Sequence, residues 1–161
     1  MRRTLHVFPD FFRWLAHTSL GVALRESTWA FAIIEVVHLL ALAVFGGTVL
    51  LINLRFWGAG LKLETVSKVV RSLSPQMLVS LAVMVITGVL MVTSGPMRYY
   101  YNAAFRWKMV LFLFGALIQF ALYQHALRTD FDTSRRQKIT AGFSLAIWLA
   151  VALAGRAIGY V

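Results

Sequence analysis

The sequence predicts an all-α integral membrane protein, an up-down-up-down four-helix bundle preceded by an N-terminal interfacial amphipathic helix. Three observations carry this reading. Of the 161 residues, 60% are hydrophobic and only 14% are charged, against about a quarter charged in soluble domains. Mean hydropathy is +0.74. The apolar residues gather in four runs, each near the ~20 residues that cross a bilayer. A secreted enzyme, a nucleic-acid-binding domain and a disordered tail are excluded on these grounds.

Residues 1–26 form the N-terminal segment. Phe8, Phe11, Phe12, Trp14 and Leu15 can share one helix face, with Arg13 and His17 interspersed, the pattern of a helix lying in the membrane surface. Arg2-Arg3 resembles a signal-peptide start. Pro9, Asp10 and Arg13 interrupt the apolar stretch that cleavage would need, so the segment is expected to stay in the mature protein. Residues 27–161 form the membrane domain, with spans expected at 28–54, 75–94, 105–127 and 139–161. Pro75 suits a first helical turn, and Thr93-Ser94-Gly95-Pro96 reads as a turn. Tyr99, Tyr100, Tyr101 and Trp107 read as an interfacial aromatic belt. Short connectors make neighbouring spans antiparallel. Gly155-x-x-x-Gly159 and the Ala146, Ala150, Ala154 row give the last span a small-residue face for close packing.

Net charge is +10. Its cations lie mostly between the spans, where anionic headgroups attract them, so the lipid bilayer, not nucleic acid, is the expected partner. No cysteine is present, which excludes disulfides and thiolate metal sites. The loops after spans one and three carry eight Lys and Arg, against six at or beyond the span ends on the opposite side. The positive-inside rule then sets both termini outside the cytoplasm.

Besides those close to the span ends, four ionisable residues fall inside the spans: Glu35, His38, Lys108 and Arg156. Such residues face the bundle interior, pair with one another and mark function. Their depths, at ~1.5 Å per residue, place all four in the same half of the bilayer. Glu35 and Arg156 are expected to form a structural ion pair. Lys108 and Arg156 are spaced to hold the propionates of a haem whose iron His38 ligates as neutral imidazole. Met84 lies at His38's depth and is a candidate second axial ligand; a five-coordinate iron and a His38 pair across a dimer axis are the alternatives. Met77, Met84 and Met91 recur every seven residues, and a thioether stripe beside His38 would instead suit Cu(I). His125 is near the opposite end of span three, too far from His38 to share one metal.

The pattern Glu35-x-x-His38, Gly46-Gly47, Asn53-Leu54-Arg55, Thr87-Gly88, Phe105-x-x-Lys108 and Gly155-Arg156 resembles a bacterial four-helix inner-membrane family of unknown function. More distantly, His in span one, Arg at its exit, Thr-Gly in span two and Trp107-Lys108 opening span three are similar to two further families. These are the copper-resistance D membrane domain and the small haem-containing protoporphyrinogen oxidase, where the first-span His holds the haem. The resemblance implies a haem role for His38 and cofactor or substrate contacts for Arg55 and Lys108. Leu54 stands where the oxidase carries Pro, so its enzymatic activity is not transferred.

The leading expectation is therefore a b-type haem protein of the bacterial inner membrane, an electron-transfer module or subunit of a redox complex. It would meet a redox protein, other membrane subunits or a second copy of itself. A copper-handling protein using His38, Met84 and Met91, and a cofactor-free structural subunit, are the alternatives.

Overall fold

The computed structural model describes residues 7–59, 63–128 and 134–160. Arg2, Arg3, Lys62, Val161 and the side chain of Phe8, all used in the sequence reading, lie outside the described parts. The described chain is helical: α1 (Val7–Ala16), α2 (Ser19–Glu26), α3 (Ala30–Trp57), α4 (Val66–Ser94), α5 (Pro96–Tyr101), α6 (Ala103–Arg128) and α7 (Arg135–Ala157). The four long apolar helices have 28, 29, 26 and 23 residues. At ~1.5 Å per residue, even the shortest exceeds the ~30 Å hydrocarbon layer. Leu40, Val79, Leu117 and Leu149, all at mid-helix, are 59–65% exposed. Bared apolar faces of this extent suit lipid rather than water. The chain is a multi-pass membrane protein.

Side-chain contacts fix the topology. His38, early in α3, meets Thr87, late in α4. Lys108, early in α6, lies against Gly155, late in α7. Consecutive spans are therefore antiparallel, as short connectors require. α3 also packs along α7, with the Phe45 and Trp148 rings edge to face at 4.7 Å and Trp57 over Gly142. The core runs down the middle through Phe45, Val49 and Phe56 of α3, Val70, Met77 and Met84 of α4, and Leu122 of α6. One end of the bundle carries α1, α2 and α5 and is called the cap end; the other is the loop end.

α4 buries a row of hydroxyls. Ser74, Ser80, Thr87 and Thr93 each donate to a carbonyl one turn back, those of Val70, Gln76, Val83 and Val89. Satisfied within the helix, these small polar residues can pack against neighbouring helices without an uncompensated donor.

The second membrane helix begins well before Pro75, the residue the sequence offers as its start. Thr65 caps it by accepting from the Lys68 amide at 3.3 Å, and Pro75 lies inside the helix. Proline removes one backbone donor and crowds the carbonyl four residues back. Here that carbonyl belongs to Arg71, an exposed residue near the loop end, where water can take the missing hydrogen bond. Proline is thus tolerated in the interfacial turn of a longer helix. α7 opens on a capping box, Ser134 with Gln137.

The N-terminal segment forms two helices rather than one. Thr18 separates them and accepts from the Gly21 amide at 3.2 Å. α1 rests on α5, where Phe12 and Tyr100 are 5.3 Å apart. α2 docks on the end of α4 through Gly21. A Cβ there would stand 2.8 Å from the Leu15 carbonyl oxygen and 3.0 Å from that of Thr93. Both obstacles are backbone, so Gly21→Ala is expected to weaken the docked cap by about 1–3 kcal/mol. Limited proteolysis within α1 and α2 should then accelerate; unchanged cleavage would show that the contact does not hold the cap.

Candidate functional site

The site begins with His38, half-buried on α3 near the cap end. Its Nδ1 lies 2.8 Å from Thr87 Oγ1. The Thr87 hydroxyl also reaches its own helix, with the Val83 carbonyl at 2.7 Å and that of Met84 at 3.2 Å. When its hydrogen stays there, Thr87 accepts from His38 and the ring proton is on Nδ1; when the hydroxyl turns to the ring, it donates to Nδ1 instead. The first arrangement leaves Nε2 its lone pair to bind a metal or accept a proton. Gly88 lies beside the ring, where a Cβ would make ordinary contact at 3.4 Å from His38 Cε1. Thr87-Gly88 is thus the stretch of α4 that the imidazole rests on, with Thr87 as its polar partner.

Lys108 enters from α6. Its Nζ lies 3.4 Å from where a Gly155 Cβ would be, so the ammonium rests on bare backbone of α7. No carboxylate of the described residues pairs with it, and it lies within electrostatic range of the His38 ring. Glu35, one turn towards the cap end from His38, is exposed and within range of both His38 and Tyr99. Burial pushes the Tyr99 phenol up from its ordinary value, opposed by the Arg98 charge and reinforced by Glu35. Tyr99 therefore stays a hydroxyl donor at neutral pH.

The expected Glu35–Arg156 pair does not form within the chain. Arg156 is exposed and turns to Tyr160, donating to its hydroxyl at 2.8 Å with the guanidinium 5.1 Å from the ring centre. The physical reason is local: Tyr160 is four residues on, the spacing at which helical neighbours meet. Equal depth on two helices does not guarantee reach.

Other candidates lie elsewhere. Arg55 is at the loop end, ~25 Å along α3 from His38, where its Nε donates to the Glu64 carbonyl at 2.6 Å. It fastens the connector, with Lys68 paired to the Glu64 carboxylate at 2.7 Å. His125 is exposed near the same end. Met77 and Met84 are 6% exposed and belong to the core, while Met91 is half-buried.

A second polar cluster was not foreseen. Asn53 donates to Gln119 Oε1 at 3.0 Å and to the Val49 carbonyl at 2.8 Å, and Ser144 donates to the same Gln119 oxygen at 3.0 Å. All three are at most 3% exposed. They tie α3, α6 and α7 together in the loop half of the bundle. The signal was available: Gln119 is a polar residue in the middle of an apolar run.

Fold and site together define a multi-pass α-helical membrane protein with a threonine-bonded histidine and a half-buried lysine at one end of its bundle. The chain belongs to a family of unknown function, DUF6644, whose model matches residues 11–161. No curated protein and no solved structure matches it.

Proposed function

We propose that this protein binds a b-type haem through His38 and serves as an electron-transfer module or redox subunit in a bacterial inner membrane. The observation that carries the reading is the seat of His38: Nδ1 lies 2.8 Å from Thr87 Oγ1 beside Gly88, and an Nδ1-protonated ring leaves Nε2 as the donor. Holding the second imidazole nitrogen is how proteins orient a metal-ligating histidine and raise its basicity. No three His, Asp or Glu side chains come together among the described residues. A porphyrin brings four nitrogens of its own and asks the chain for one imidazole, so the donor set fits haem. The similarity of the span-one His to the haem ligand of the small protoporphyrinogen oxidase family supports the same choice.

When bound, haem supplies a one-electron iron couple. The chain's residues would do the rest. His38 Nε2 would ligate, Thr87 would orient the ring, and Lys108, resting on Gly155, would offer its ammonium to a propionate. Arg156, bonded to Tyr160, lies exposed at the same end of the bundle. The positive-inside count supports a cytoplasmic loop end, which sets His38 towards the periplasm. Copper has no observation of its own, since the thioethers of Met77 and Met84 are packed into the core.

The test is spectroscopic. His38→Ala is expected to purify without pigment, while His125→Ala keeps it. Pigment surviving in His38→Ala, or lost in His125→Ala, would sink the assignment.

A further inference from the structure

Glu35 and Arg156 remain unexplained by haem ligation alone. The exposed aromatics Trp29, at 73%, and Tyr160, at 74%, mark the membrane surface at the cap end. By helical rise, Glu35 lies ~9 Å deeper than Trp29 and Arg156 ~6 Å deeper than Tyr160. Both residues are exposed. Glu35 takes no cation among the described residues, and Arg156 has only a neutral phenol. Opposite charges facing lipid at similar depth are each costly and mutually complementary.

They also lie on helices that pack side by side, α3 and α7. We infer that the chain forms a two-fold homodimer in which Glu35 of each copy pairs with the partner's Arg156. A two-fold axis along the membrane normal makes the contact isologous: one acid and one base per copy satisfy two ion pairs. The face leading away from Glu35 permits close approach. Leu39, Ala43, Gly46 and Leu50 follow it at helical spacing, all exposed, and nothing lies within 4 Å of a Cβ built on Gly46. Small residues let membrane helices come together. The five donors of a guanidinium allow Arg156 to keep Tyr160 while accepting the carboxylate.

The experiment is charge reversal with mixing, read as mass in lipid nanodiscs and as co-purification of differently tagged chains. The wild type is expected to be a dimer. Glu35→Arg alone and Arg156→Glu alone set like charges face to face and should each cut the dimer about ten-fold or more. Co-expressed, the two variants should recover a mixed dimer, because both contacts are then oppositely charged. A pair formed within one chain cannot be rescued by mixing. A monomeric wild type, single variants that stay dimeric, or no gain on mixing overturns the proposal. If a reversed variant fails to fold, the absence of native cysteine permits a second route. A disulfide joining a Glu35→Cys chain to an Arg156→Cys chain supports the dimer. One forming only inside a doubly substituted chain overturns it.

Discussion

Thr87→Val is expected to lower haem affinity about 10–100-fold, the usual effect of removing the group that orients a ligating histidine, while leaving the bundle folded. Valine keeps the shape of threonine but loses the oxygen bonded to His38 Nδ1. The ring can then turn, and the proton can move to the nitrogen that must ligate. The helix itself loses little, because the Thr87 hydroxyl only supplements backbone bonds through the Val83 carbonyl. Thr87→Ser restores the hydroxyl and should restore affinity. Haem titration of the apoprotein measures both. Equal affinity in Thr87→Val and wild type would show that this hydrogen bond does not prepare the site.

Asn53→Ala should cost about 2 kcal/mol of stability, within the range for leaving buried polar groups unsatisfied. Asn53 is fully buried and supplies donors to Gln119 and to the Val49 carbonyl. Its loss leaves the Gln119 oxygen with Ser144 alone and opens a small void between α3 and α6. Gln119→Ala removes the shared acceptor and should cost a similar amount. Because the two side chains bond to each other, the double substitution should cost less than the sum, by up to about 1.7 kcal/mol for hydrogen bonds between membrane helices. Reversible unfolding in bicelles checks this. Strict additivity would mean that the amide pair is not coupled.

The membrane fold was legible because apolar runs of this length admit little else. What the runs could not show was where helices begin outside the hydrocarbon. Pro75 looked like a start because proline favours a first turn, yet the Thr65 cap and an exposed Arg71 allow the helix to run through it. The N-terminal break at Thr18 falls in the polar run His17-Thr18-Ser19, where threonine is a favoured cap residue.

At the site, charge was easier to read than neutral polarity. Lys108 and His38 stand out in apolar surroundings, and they do converge at one end of the bundle. The Thr87-Gly88 seat was visible only as part of a family pattern, since its meaning depends on which residue of α3 it faces. The Asn53, Gln119 and Ser144 cluster carries no charge and so raised no alarm. The Glu35–Arg156 expectation failed for a related reason: spacing along a helix gives depth, whereas pairing also needs direction around the axis.

The most direct measurement is the oxidised and dithionite-reduced absorption spectrum of the purified wild-type protein, with haem and metal analysis on the same sample. Haem ligation by His38 predicts a Soret band and a sharp reduced α-band of b type, at near-stoichiometric haem. A colourless, metal-free protein from haem-replete cells would contradict it.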